Sequence, residues 1–454
     1  MKKLLSIVLA LIVIPIVLSV RGSAESETVE FYGNSIPANV RQLCLCRQSH
    51  YVYEYANECG KAYEIPNEET IDCKVLAEKF PNLYKLMIIN CELENEESLA
   101  YIKNLAWFSV TSPEYSGSID DISYLGNMTS LKFLRCESES CEDVSSIGNL
   151  INLEELHLIL RDDPYAYEIY HEKNNIDISG LKNLTKIENL TLYCDTEDIS
   201  PIGAMKKLKR LDIVNESLED GLEILQDMTD LFYLRIYGAQ ITDKNQLSEL
   251  KQLKSLGLSN CSFYPEEAFN GIAELTNLEE LEICYYYGGC IPYYERIDTK
   301  QIAKLTNLKS LTMKGCYLPK PYFVKNLTKL EELSLCDNNI QYIPDVKKLS
   351  ELKYLNLYFN KIKDISPLKE LTKLEELYIS SNLGRFETSP LKDIKGLKRL
   401  DLSYSDDIED FSFLENADNL EYLNIYCTSW SYNKESKKYV ETFIKDHPDC
   451  EVDS

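Results

Sequence analysis

The apolar residues of this chain recur at a fixed interval. Between Leu330 and Asn382 one phrase, L-x-x-L-x-L/I-x-x-N, begins at Leu330, Leu352 and Leu374, in steps of 352 − 330 = 22 and 374 − 352 = 22. A period of that size predicts a solenoid, because no single copy can bury its leucines and each must stack on its neighbours. Looser versions extend the series to fifteen coils, starting at Leu83, Leu105, Leu131, Leu153, Ile187, Leu208, Leu231, Leu253, Leu278, Leu308, Leu330, Leu352, Leu374, Leu397 and Leu420. Within each coil the x-L-x-L/I-x stretch predicts a short strand. Its leucines point inward and the residues between them outward, since strand side chains alternate. Successive strands should form one continuous parallel sheet, even across the longest steps, 187 − 153 = 34 and 308 − 278 = 30. Return segments such as 363–373 hold Pro and short apolar spacings, which suit 3₁₀ turns rather than long helices.

The ends follow other patterns. Residues 1–24 carry two lysines, an apolar run from Leu4 to Val20 and small residues ending at Ala24, the marks of a secretory signal cut after Ala24. Residues 25–80 read as an N-terminal cap, 81–427 as the solenoid and 428–454 as a C-terminal helix–strand cap. Within the first cap, residues 40–57 fit either a hairpin about Arg47–His50 or a degenerate repeat strand over Val40, Leu43 and Leu45. A short helix is expected from about Ile71 to Phe80. In the second cap, Tyr439, Val440, Phe443 and Ile444 share one helical face, and Cys450–Val452 can form a last strand.

The phrases at 364–380 (DISPLKELTKLEELYIS), 198–214 (DISPIGAMKKLKRLDIV) and 121–134 (DISYLGNMTSLKFL) resemble the 22-residue leucine-rich repeats of bacterial internalin-like surface proteins. The resemblance covers about residues 83–427. It implies an α/β leucine-rich-repeat horseshoe, with the parallel sheet on the concave face and short 3₁₀ or helical turns on the convex face. It also implies a module that binds a protein on its concave face. The chain departs from the better-known members in showing neither an immunoglobulin-like domain after the repeats nor a cell-wall sorting signal.

Charge narrows the partners. The chain carries 48 Lys and Arg against 74 Asp and Glu; without Lys2, Lys3 and Arg21 the balance is 45 − 74 = −29. Phosphate binding needs a basic face, so nucleic acid is not expected, and neither is an anionic membrane. The expected product is secreted, extracellular or held at the cell surface, and monomeric. The four histidines are scattered, and no nucleophile, phosphate-loop, zinc or calcium motif is present. Catalysis, cofactors and metals are therefore not expected. The paired glutamates Glu154-Glu155, Glu279-Glu280, Glu331-Glu332 and Glu375-Glu376 recur with the repeat and read as part of it.

Binding residues are expected among the outward strand positions. These are Tyr233, Tyr237, Tyr354, Tyr358, Tyr378, Tyr422 and Tyr426, with Glu332, Glu376, Arg399 and Asp401 among them. Tyrosine offers a large rigid contact with a polar tip. Lengthened segments at 111–120, 161–175 and 285–298 share one phase of the repeat, which places Tyr165, Tyr167, Tyr286 and Tyr293 on one rim. The preferred partner is a protein, on a host or neighbouring cell; the alternative is a glycan-binding or structural protein of the bacterial cell envelope. Cys91, Cys261 and Cys316 occupy the inward position of Asn338 and Asn360 and should pack as small apolar residues. Cys427 and Cys450 are expected to approach closely enough for a disulfide across the last strand.

Overall fold

A computed structural model describes residues 28–47, 61–67, 69–111, 121–138, 141, 143–160, 175–215, 218, 221–286, 297–343, 346–382, 387–405 and 408–454. Eighteen strands form one parallel sheet. It starts at Ala62–Glu64, passes through Gln42–Cys46 to Lys85–Ile89 and Trp107–Thr111, then follows chain order to Tyr422–Asn424 and Glu451–Asp453. No pairing joins the first strand to the last among the described residues, so the sheet is an open ribbon. Its register is unbroken across both long steps, with Leu156 beside Leu190 and Leu281 beside Leu311.

Count each coil from its first leucine as position 1. Positions 1, 4 and 6 then form the core, as Leu352, Leu355 and Leu357 do in one coil, all buried. Burying a leucine contributes roughly 2 kcal/mol, and the stack repeats that contribution coil after coil. The returns close the core from the other side. In Ser366–Glu370 the 3₁₀ turn buries Leu368. The preceding Asp364 accepts the Ser366 N–H at 2.8 Å, and Asp121, Asp143, Asp177, Asp198 and Asp410 cap their turns the same way. This is the physical content of the D-I-S phrase: the carboxylate holds the first free N–H of each turn.

After the strand the chain turns sharply at position 8, where φ is positive in Asn90, Gly238, Asn260, Gly315, Asp337, Phe359, Ser381, Tyr404 and Cys427. Position 9 then points inward. Asn338, Asn360 and Asn382 each donate to the carbonyl of position 6 in the preceding coil, Met313, Leu335 and Leu357, at 2.6, 2.9 and 3.0 Å. Cys261 and Cys316 do more than the expected packing. Their thiols reach the same carbonyls, Ile236 and Ile283, at 3.5 and 3.4 Å. Sulfur thus keeps the donor role of the asparagine and lacks its acceptor.

Position 2 forms a charge ladder on one rim. Lys132 pairs with Glu154, Lys209 with Glu188, Lys309 with Glu279, Lys353 with Glu331 and Lys398 with Glu375, all within 2.8 Å. From Glu279 to Glu421 the sign alternates coil by coil: Glu279, Lys309, Glu331, Lys353, Glu375, Lys398, Glu421.

The caps resolve the open readings. Gln42–Cys46 is a repeat strand, parallel to both its neighbours, and not half of a hairpin. The hairpin lies earlier, at Thr28–Phe31 and Asn34–Pro37, where Phe31 and Ile36 are buried and Phe31 meets Phe80 edge-on at 5.5 Å. The expected first helix spans Cys73–Lys79, capped by Asp72. The C-terminal helix spans Lys434–Asp446 and buries Val440 and Phe443, while Ile444 is exposed rather than packed. Glu451–Asp453 adds the last strand, as expected, but the parallel register defeats the disulfide. Glu451 lies beside Tyr422, so Cys450 falls near Glu421 at one end of the strand. Cys427 lies 427 − 421 = 6 residues further along, roughly 20 Å away at strand rise, against about 6 Å for a bridge. Both thiols are free.

Candidate functional site

Positions 3, 5 and 7 of each coil carry the outward side chains of the sheet. In the last coils position 3 reads Glu332, Tyr354, Glu376, Arg399, Tyr422 and Glu451, each beside the next in register. The Tyr354 and Tyr378 rings lie 5.5 Å apart. Tyr378 donates its hydroxyl to Glu376 at 2.9 Å and accepts from Arg399 Nε at 3.3 Å. The Arg399 guanidinium lies 4.3 Å over the Tyr422 ring, and Tyr422 donates to Asp453 at 2.9 Å. Asp401 accepts from the Ser403 N–H and the Ser380 hydroxyl, and Glu332 from the Ser310 hydroxyl. Burial pushes Tyr354 up to about 12; burial, then the Asp453 carboxylate, does the same for Tyr422. Both rings therefore stay neutral donors at ordinary pH. The structure brings these expected residues into one connected surface. Tyr358 and Tyr426, at position 7, stand at its border, 43% and 51% exposed.

Tyr233 belongs to a second group at mid-sheet, half-buried beneath the Arg210 guanidinium at 3.9 Å. Tyr237 does not offer contact surface: it is only 3% exposed, and its hydroxyl accepts from Asn260 at 2.6 Å. Tyr286 lies 4.7 Å beneath the Lys314 ammonium. Tyr165, Tyr167 and Tyr293 fall outside the described residues.

Two groups escaped the reading of tyrosines. Along position 5, His157, Thr191, Asp212, Arg235, Gly257 and Glu282 lie side by side. His157 bonds Thr191 and Glu155 at 2.8 Å each, Tyr193 donates to Asp212 at 3.3 Å, and Arg235 reaches over Gly257 to Glu282 at 3.1 Å. A Cβ on Gly257 would meet Arg235 Cγ at 3.0 Å, so the bare backbone is what lets the guanidinium cross. Burial raises Asp212 to about 6 despite the opposing pull of Arg235, Tyr193 and His157. Nearer the N-terminus, Trp107 stacks on Phe133 at 4.3 Å, with the Lys85 ammonium 3.7 Å over the indole. All these residues sit at positions 3 and 5, apart from Tyr193 at position 7, and all three positions point outward, so the repeat phase could have found them.

Among the described residues no helix is long and apolar enough to cross a membrane, and no cluster of three or more His, Cys, Asp or Glu is arranged to hold a metal ion. The surface offers rings, carboxylates and hydroxyls fixed by one another, an arrangement suited to recognition.

The family described as Leucine Rich repeats (2 copies) matches at residues 328–370 and 350–395. A leucine-rich-repeat protein of Leptospira interrogans is similar at 18% identity, over 83% of this chain and 91% of that one, with a TM-score of 0.51. The TLR13 chain in a complex with single-stranded RNA is similar at 16% identity, over 85% of this chain and 59% of that one, with a TM-score of 0.54. An internalin of Listeria monocytogenes shows 24% identity over 76% of this chain and 87% of that one, with a TM-score of 0.49. The strand register, the inward asparagines and the likenesses to the Leptospira and TLR13 chains agree on a leucine-rich-repeat fold, in which the repeats stack into one solenoid.

Proposed function

We propose that this chain is an exported binding module that recognises another protein through its concave sheet and carries out no catalysis. One observation carries the reading. Tyr354, Tyr378 and Tyr422 stand half-buried on the sheet with their hydroxyls engaged, and Tyr358 and Tyr426 border them with exposed rings. Such rings lose little conformational freedom on binding and offer much area. Export rests on the signal-like residues 1–24. The RNA partner of TLR13 does not transfer, because the exported chain, with 45 − 74 = −29, repels phosphate. Tyr165, Tyr167, Tyr286 and Tyr293 would extend the contact along one rim.

The test is capture followed by mapping. Residues 25–454 are used to isolate surface proteins from candidate target cells, and the contact is located by cross-linking. Alanine at Tyr354, Tyr358, Tyr378, Tyr422 and Tyr426 together should weaken capture at least a hundredfold, since truncating one anchor typically costs about 2 kcal/mol or more. Cross-links confined to the 3₁₀ returns, with affinity unchanged in the five-alanine chain, would refute the concave-face reading.

A further inference from the structure

The repeated glutamate pairs perform two different tasks. In Glu331-Glu332 and Glu375-Glu376 the first member joins the rim ladder and is neutralised by Lys353 or Lys398 at 2.7 Å. The second member faces the concave side and hydrogen-bonds to a neutral group, the Ser310 hydroxyl for Glu332 and the Tyr378 hydroxyl for Glu376, although Arg399 lies beside Glu376 on the next strand. Asp401 and Asp453 are held likewise by Ser380, Ser403 and Tyr422. None of these four carboxylates forms an ion pair among the described residues. The one cation among them, Arg399, turns onto the Tyr422 ring and the Tyr378 oxygen. The rim acids Glu154, Glu188, Glu279, Glu331 and Glu375 are each paired with a lysine, so the fold has the means to neutralise carboxylates and leaves this face negative.

The border supports the same conclusion. Position 8 has positive φ, which glycine tolerates and bulky residues resist. Coils that start at Leu231 and Leu308 place Gly238 and Gly315 there, but two others place Phe359 and Tyr404, at φ 55° and 52°. Both rings are exposed, at 56% and 58%, so core packing does not account for them. Each instead stands beside a second exposed ring, Phe359 by Tyr358 at 5.9 Å and Tyr404 by Tyr426 at 5.7 Å. Strained positions occupied without structural return point to function.

We propose that the concave sheet from Glu332 to Asp453 docks an extended segment of a protein partner that carries lysine or arginine. The proposal rests on the concave-face reading and adds what the partner must present. Glu332 and Glu376 flank Tyr354 in one row, two strands and so about 10 Å apart. Basic residues three apart in an extended chain of the polyproline II type share one face and lie about 9 Å apart, close to the same span. Each basic side chain would meet a carboxylate and a ring face together, and the aliphatic residues between would lie on the exposed rings of the border.

The probe is a labelled peptide of four Arg-Leu-Ser units, with a Glu-Leu-Ser peptide as its control, titrated into residues 25–454. One variant carries Glu332→Gln, Glu376→Gln, Asp401→Asn and Asp453→Asn. A second removes the same charge from the 3₁₀ returns, through Glu97→Gln, Glu266→Gln, Glu267→Gln and Glu370→Gln. The concave variant should bind the arginine peptide at least tenfold more weakly, and the return variant within threefold of the parent. Equal losses in both variants, or no preference for arginine over glutamate in the parent, would overturn the proposal. Glu332→Lys with Glu376→Lys provides an independent check, because it should move the preference toward the glutamate peptide; an unchanged preference counts against the proposal. A captured protein that the amide variant keeps and the five-alanine chain loses would leave the concave-face reading standing and end this one. A protein that both variants keep would end both. Binding to a glycan array that depends on the tyrosines alone would also overturn the basic-segment proposal.

Discussion

The side-chain oxygen of Asn360 accepts the backbone N–H of Asn338, one coil away, at 3.1 Å. The same oxygen accepts the Ile340 N–H at 2.9 Å, while the amide nitrogen donates to Leu335 and Leu357. One buried side chain thus satisfies two backbone donors and two acceptors that water cannot reach. Asn360→Ala should cost about 3 kcal/mol or more, since each buried group left unmatched costs about 1–3 kcal/mol. Amide exchange at Asn338 and Ile340 should quicken well beyond that of coils near Leu131. Asn360→Cys should fall between parent and alanine, because a thiol restores the donor and not the acceptor. Equal exchange in all three proteins would show that the asparagines do not tie the coils.

Asp212 gives a pH dependence with a definite sign. Its carboxyl is raised to about 6 in the fold, chiefly by burial, against an ordinary value near 3.8. Between about pH 4 and pH 6 the folded chain therefore holds more protons than the unfolded one, and stability falls as pH rises through that window. Above it the cost stays constant. Asp212→Asn should raise stability at pH 7.5 by on the order of 1–2 kcal/mol, a figure reduced for partial solvent access, and change nothing at pH 4. Thermal melts of both proteins at the two pH values decide the matter. A mutant less stable at pH 7.5 would mean that the Tyr193 and Arg235 contacts outweigh the burial.

How much of this was legible beforehand varies by position. The core was legible, because Leu330, Leu352 and Leu374 repeat at a spacing no other fold explains, and the same phase marks Tyr354 and Tyr422 at position 3 and Tyr378 at position 5 as outward. Tyr237 was not. It shares position 7 with Tyr358, yet one is buried and the other exposed. Burial there depends on the adjacent coil, where Asn260 donates to the Tyr237 hydroxyl, and a repeat phrase says nothing about its neighbour's side chain. The Gln42–Cys46 strand was ambiguous for a related reason, since alternation alone serves a hairpin and a parallel strand equally. His157, Asp212, Arg235 and Glu282 were in phase but differ in residue type, so only the register showed them as one row.

The last two cysteines provide a third expectation. Parallel pairing sets Cys427 and Cys450 at opposite ends of the final strand, so they should remain separate after exposure to air. Non-reducing peptide mapping should recover each with a free thiol, and Cys427→Ser should leave the melting temperature unchanged. A linked peptide pair would require a different register for Glu451–Asp453.

The alternating rim of lysine and glutamate has a consequence for how the chain reaches this structure. Near-identical repeats invite error, because a strand that skips one coil still finds leucines that fit. A skip between Glu279 and Glu421 would set lysine against lysine or glutamate against glutamate at the point of the skip, where the two strands must first pair. The rim thus works as a parity check on assembly, rejecting a miscount that the hydrophobic core would accept.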